Sequence, residues 1–267
     1  MTSGTVDGLH YELHGGPIAG REVVLLSSGL GGSGAFWAPQ MAALTERWPV
    51  VLYDHRGTGR SVRELPSGDY TVADMAADIV KVMDALGLAK AHVVGHAAGG
   101  NAGLQLALDH PDRLAKLVVV NGWSRPDPHI RRCFDTRIHL LNDTGPQAYV
   151  HAQPIFLYPA DWISRNHARL MAEEAHHVAG FPPREVMLAR INALLAFDVD
   201  ARLDEITHRV LVSASADDML VPMSCSQRLA GRLPNADFQQ VPWGGHGFTV
   251  TDPETFNEGL VSFLGGG

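Results

Sequence analysis

Six short runs of apolar, largely β-branched residues recur along the chain: EVVLLS (22–27), PVVLYD (49–54), AHVVGH (91–96), KLVVVNG (116–122), RVLVSAS (209–215) and DFQQVP (237–242). Runs of this length and continuity predict strands, most of them buried on both faces. Between several of them lie segments with helical spacing. In Val72 to Leu86, for example, Met75, Ile79, Val82, Met83 and Leu86 fall on one face. Strands alternating with helices predict an α/β protein built on a mainly parallel sheet covered on both sides.

The alternation stops near Trp123 and resumes near Arg209. The intervening residues are rich in helix formers, prolines and aromatics, which predicts a helical cap over 124–205. No repeat, low-complexity tract or linker separates this segment from its surroundings. It is therefore expected to sit as an insertion on a core made of 1–123 and 206–267, not as an independent domain.

Composition narrows the function classes. With 45% hydrophobic and 19% charged residues, the 267-residue chain reads as a globular protein able to bury a substantial core. A formal net charge of −8, with no basic block, argues against a nucleic-acid partner. Cys133 and Cys225 are the only cysteines; two isolated thiols make neither a zinc framework nor a disulfide scaffold, and favour a reducing compartment. The N-terminal stretch lacks the charged and apolar regions of a signal peptide, and no apolar run approaches membrane-spanning length. The expectation is a soluble, cytoplasmic protein with a small-molecule substrate and no membrane partner, in which a homodimer is allowed but not required.

Two motif readings compete in the first half. GLGGSG (29–34) follows a strand and satisfies G-x-G-x-x-G, and Asp54 ends the next strand, as a dinucleotide fingerprint would require. That fingerprint should lead into a helix, whereas Phe36, Trp37 and Pro39 crowd the residues after this loop. The stronger motif is GHAAG (95–99), where a buried strand turns into a helix. It is a G-x-S-x-G nucleophile elbow except at its centre, Ala97, which has no nucleophilic atom. Downstream, SADDMLVP (215–222) and WGGHGF (243–248) each follow a strand, giving the order elbow, acid, histidine. Asp218 is the preferred acid and Asp217 the fallback. An aspartate that accepts from one imidazole nitrogen leaves the other free to take a proton, so His246 becomes the general base. Nothing in these motifs requires a metal or a cofactor.

Through SGLGGSGAFW, YDHRGTGRS, VVGHAAGG, SADDMLVP and WGGHG the chain resembles the α/β-hydrolase superfamily. More narrowly, SGLGGSG, RGTG, VVGHA, VNGW, RRCF, FLYPADW, DDMLVP and GGHGFTVTDPETFN, spread over residues 27–257, resemble the RutD-type proteins of the Rut pyrimidine-degradation pathway. The resemblance implies an α/β-hydrolase fold with a helical cap insertion, and a native alanine at the elbow centre. It also implies hydrolysis of a small carbamate or aminoacrylate-type intermediate of uracil catabolism. The backbone N–H groups of Leu30 and Ala98 would form the oxyanion hole. Ser28, where many superfamily members have histidine, and Trp123, under the cap, are expected beside the substrate.

Several residues have plainer readings. Adjacent His176 and His177 point to different sides of a helix and suit a solvated surface. Arg56 reads as a loop anchor, and Cys133, with no local histidine partner, as a packed residue. Arg131 and Arg132 could reach a substrate carboxylate, but exposed charges on a cap helix explain them equally. Two other function classes fit a His-Asp pair without a nucleophile. One is a lyase or cofactor-free oxygenase in which the histidine only removes a proton; the other is a non-catalytic ligand-binding relic of the fold.

Overall fold

The computed structural model describes residues 1–66 and 68–266; residues 67 and 267, both within the span expected for the core, lie outside the described residues. The chain opens with a hairpin absent from the six-strand expectation. Strands β1 (Thr2–Val6) and β2 (Leu9–His14) pair antiparallel across Asp7 and Gly8. Both turn residues have positive φ, 47° and 76°, the two-residue geometry for which Asp-Gly is favoured.

The six expected strands follow: β3 (Val24–Ser27), β4 (Val50–Tyr53), β5 (Ala91–His96), β6 (Leu114–Val120), β7 (Arg209–Ser215) and β8 (Ala236–Val241). They form one sheet with the hairpin in the order β1-β2-β4-β3-β5-β6-β7-β8, parallel from β4 onward. The alternation of strand side chains divides the interior in two. Leu25, Val51, Val93, Val119 and Val212 enter one core; Leu26, Leu52, Val94, Val118 and Leu211 enter the other. β8 departs from burial on both faces, since Asp237, Phe238 and Gln240 are exposed. It is one of the two sheet edges, β1 being the other, where polar and charged side chains discourage pairing with another chain.

Helices α1 (Met41–Thr45), α2 (Val72–Ala85) and α3 (Ala98–Asp109) connect the first strands. α2 begins where expected because Thr71 and Asp74 form a reciprocal capping box. Between β6 and β7 the chain runs through α4 (Pro128–His139), α5 (Pro146–Leu157), α6 (Ala160–Arg165), α7 (His167–Ala179) and α8 (Arg184–Ala196). The two ends of this excursion are tied together. The Ser124 hydroxyl donates to Asp200 (2.6 Å), and the Val199 N–H donates to the Ser124 carbonyl (2.9 Å). Helices α9 (Met223–Arg232), α10 (Phe248–Thr251) and α11 (Pro253–Gly265) complete the chain. α2, α3 and α9 fill the first core, α1 and α11 the second. No helix among the described residues is long and apolar enough to cross a membrane.

Candidate active site

The site forms at the carboxyl ends of the parallel strands, where open α/β sheets place their ligands. β5 ends at His96 and α3 begins at Ala98, so Ala97 alone makes the turn, with φ 47° and ψ −106°. A non-glycine residue in this region is strained by roughly 1–3 kcal/mol, and its surroundings hold it there. The Ala97 N–H donates to the Val120 carbonyl (2.8 Å), and its carbonyl accepts from Asn101 N–H (2.9 Å). The flanking glycines are required by close approach. A Cβ on Gly99 would lie 2.1 Å from the Ser27 carbonyl oxygen, and one on Gly95 would lie 2.3 Å from the Gly99 carbonyl. α3 thus starts flush against the end of β3, and the Ala97 methyl is presented where a nucleophile would stand.

The expected acid and histidine come together. His246 and Asp218 are buried, and the imidazole Nδ1 lies 2.7 Å from Asp218 Oδ2. The other carboxylate oxygen accepts the N–H groups of Leu220 (2.7 Å) and Val221 (2.8 Å), which fixes the carboxylate plane. Nδ1–H therefore donates to Asp218, leaving Nε2 as the nitrogen able to accept a proton. Asp217 turns elsewhere: it accepts from the Gly245 N–H (2.8 Å) and the Ser215 hydroxyl (2.6 Å), so it shapes the histidine loop without touching the imidazole.

The loop after β3 lies against the elbow. A Cβ on Gly29 would be 2.8 Å from His96 Nδ1. Ser28 is buried, and its hydroxyl has no partner among the described residues. The Ala98 N–H belongs to the first turn of α3, whose amides have no partner within the helix. The Leu30 carbonyl accepts from Arg190 of α8 (3.1 Å), which anchors this loop to the inserted helices. Trp123 is buried; with the Asn101 amide turned so that its nitrogen faces the Trp123 carbonyl (3.1 Å), its oxygen accepts from the indole N–H (3.2 Å). Trp123 then has no free indole donor, and its ring is part of the first core.

Three residues to which the motifs gave no role, His96, Asn121 and Arg190, hold the backbone around the site, and a fourth, Arg137, is buried in the inserted helices. The His246 carbonyl accepts from His96 Nε2 (2.8 Å) and from Asn121 Nδ2 (2.8 Å), so both groups hold the backbone that carries the base. Because a carbonyl can only accept, His96 carries its proton on Nε2. Burial and the neighbouring His246 ring push its pKa down to about 3, so it stays neutral. Asn121 also accepts from the Ser215 N–H (3.1 Å), linking the ends of β6 and β7 to the histidine loop. Arg190 is fully buried and donates to the carbonyls of Arg56 (3.0 Å) and Leu30 and to His55 Nδ1 (3.1 Å). Arg137 of α4 is also buried, with its guanidinium among Phe134, Tyr149 and Phe156. Both arginines stand at core positions of their helices, in the stripes Ile130-Cys133-Phe134-Arg137 and Val186-Met187-Arg190-Ile191-Leu194. That placement is a signal the sequence carries.

The plainer readings fare unevenly. Asp54 accepts from Gly34 N–H (2.8 Å) and from the Arg60 backbone (2.9 Å) and side chain (2.8 Å), and GLGGSG leads into a 3-10 turn over Gly34–Gln40. Neither feature suits a dinucleotide. Arg56 pairs with Asp78 and Asp7 and anchors its loop. Arg131 and Arg132 line an outward-facing groove of about 760 Å³ on α4. His176 and His177 are exposed on α7. The reading of Cys133 needs correcting in one respect: it has a local histidine, His129, one helical turn earlier and 3.4 Å away. His129 donates to the Met219 carbonyl (2.6 Å), and burial pushes the Cys133 thiol pKa up, so the pair is not a nucleophile and its base. Among the described residues no cluster of three or more potential ligands could hold a metal.

Comparison with known proteins agrees with this architecture. Residues 22–154 match the model of the alpha/beta hydrolase fold family. A protein of Caulobacter vibrioides (strain NA1000 / CB15N), named "Putative carbamate hydrolase RutD", is 92% identical over 266 residues, covering 100% of this chain and 98% of that protein. One of the same name from Variovorax paradoxus (strain S110) is 55% identical over 96% of each chain. Among solved structures, the enol-lactonase from Burkholderia xenovorans LB400 superposes with a TM-score of 0.88 at 27% identity, covering 99% of this chain and 100% of that one.

Proposed function

The chain belongs to the RutD-type family of α/β hydrolases, and from that premise we propose that it hydrolyses a small carbamate or aminoacrylate-type anion with water as the attacking group. The observation that carries this reading is the Asp218–His246 pair, joined at 2.7 Å beside an elbow whose central side chain is a methyl group. A ligand receptor has no need of a histidine fixed in one tautomer by a carboxylate that is itself held by two amides.

In this mechanism a water beside Ala97 attacks the substrate carbon while His246 Nε2 removes its proton. Asp218 stabilises the imidazolium, and the Leu30 and Ala98 N–H groups stabilise the oxyanion. His246 then returns the proton to the departing nitrogen as the C–N bond breaks; for carbamate the products are ammonia and bicarbonate. Ser28 and Trp123 stand at the edge of this site, and residues 124–205 act as its lid, held down by Arg190. No step uses a metal or a cofactor.

The test is ammonia release from carbamate, and from freshly generated aminoacrylate, with the uncatalysed rate subtracted. Oxyanion binding and positioning alone give a serine hydrolase stripped of its triad on the order of 10³ to 10⁴, and the His246 base should add to that floor. Turnover should therefore fall roughly 10²- to 10⁴-fold in His246→Ala. Unchanged turnover in that variant, or none above background in the wild type, would defeat the reading.

A further inference from the structure

The two buried arginines of the inserted helices are in different situations. Arg190 engages two carbonyls and an imidazole nitrogen. The Arg137 side chain forms no hydrogen bond or ion pair with any described residue, although the residue is only 5% exposed and its Nε is fully buried. Its guanidinium carbon lies 4.7 Å from the centre of the Tyr149 ring and 5.6 Å from those of Phe134 and Phe156. Three ring faces offset part of the cost of removing the charge from water, but they supply no acceptor for its N–H groups. A buried guanidinium without an anion is costly for a fold unless an anion comes to it.

Its position says which anion. Cys133, one turn earlier on the same face of α4, has its sulfur 3.8 Å from the carbonyl of Met219, in the loop that carries Asp218. The Cys133 thiol feels the charges of both Arg137 and Asp218. Phe156 precedes Leu157, whose carbonyl accepts from Gly247 N–H (2.8 Å), next to His246. Arg137 is thus carried on the buried face of α4 that packs toward the loops bearing Asp218 and His246, away from Arg131 and Arg132, which line the outer groove.

We infer that Arg137 is the anion-recognition residue of this site, its planar guanidinium taking the carboxylate of an aminoacrylate-type substrate, which is separate from the carbon that bears the nitrogen, while the aromatic ring faces exclude water around it. The inference rests on the hydrolytic reading above for the location of the reacting carbon, but its own content is a binding preference. Guanidinium suits a carboxylate through two parallel hydrogen bonds, a geometry that lysine cannot reproduce.

The experiment compares acrylate with its neutral isostere acrylamide, by titration calorimetry and by the imidazole resonances of His246. The wild type should bind acrylate at least tenfold more tightly than acrylamide, and acrylate should shift the His246 signals. Arg137→Gln should abolish the preference, and Arg137→Lys, which keeps the charge and carries the test if the glutamine variant fails to fold, should retain only part of it. Equal binding of the two probes by the wild type, no acrylate binding at tens of millimolar, a preference that survives in folded Arg137→Gln, or binding that leaves His246 unmoved would each overturn the assignment. A wild type that shows the Arg137-dependent preference but no turnover would leave Arg137 standing and remove the hydrolytic reading. Turnover with a preference indifferent to residue 137 would do the reverse.

Discussion

At residue 97 the absence of an oxygen decides the chemistry. A methyl group cannot attack a carbonyl, so a fluorophosphonate directed at active-site serines should leave the wild type unlabelled by intact mass. Ala97→Ser should gain one adduct at that position, because the turn already has the shape of a nucleophile elbow. Stable labelling of the wild type would contradict the water mechanism. Asp218 permits a sharper argument. Because Oδ1 is held by two backbone N–H groups, the amide of Asp218→Asn must place its NH2 toward His246 Nδ1. Two donors cannot face each other, so the imidazole shifts its proton to Nε2 and ceases to be a base. Turnover should fall roughly 10²- to 10⁴-fold, the usual worth of a general base, with nitrogen NMR reporting the exchanged tautomer and little change in stability.

At the scale of the elements, the site depends on how closely α3 approaches β3. Gly99→Ala would put a methyl carbon 2.1 Å from a backbone oxygen that has nowhere to move. We expect it to destabilise the fold by at least the roughly 1–3 kcal/mol typical of overpacking, measured by chemical denaturation, whereas Gly231→Ala, where no atom lies within 4 Å, should not. Such contacts were legible in advance: the glycines of GHAAG stand out because a buried strand precedes them, and the inner strands announce themselves by continuous apolar runs. The hairpin was legible too, had Asp7-Gly8 been weighed with the alternation in LHYELH. The roles of His96 and Asn121 were not, because they act on the carbonyl of His246, and no side-chain pattern records which backbone oxygen a distant residue will meet. Arg137 and Arg190 lie between these cases. Each occupies a core position of an amphipathic helix, which marks it as unusual without saying what it faces.

Over the whole molecule, buried neutral histidines should govern the response to acid. His96 has its pKa pushed down to about 3, and His55, buried beside Arg190, is also held well below the ordinary value. The unfolded chain takes up protons at these positions near pH 6.5 while the folded one does not. Stability is therefore fully present above pH 6.5 and declines as pH falls toward 3, by about 1.4 kcal/mol per pH unit for each such group. His96→Gln should flatten the slope of denaturation midpoints between pH 6.5 and 5 by one proton. A second decline should begin near pH 4. Asp200, which ties the ends of the inserted segment to α9 through Arg228 (2.5 Å) and Arg232 (2.7 Å), has its pKa lowered to about 2. Its contribution is present above the unfolded value and is lost between about 4 and 2, so proteolysis near Ser124 and Asp200 should accelerate over that range, and Asp200→Asn should show the faster cleavage already at pH 7. The strained turn at Ala97 bears on the history of the chain as well as on its chemistry. Alanine and serine codons differ in one nucleotide, GCN against TCN, and the backbone here already has the shape a serine would need. The protein stands a single base change away from a side chain able to form a covalent intermediate, and lineages carrying this fold could cross that boundary in either direction without rebuilding the scaffold.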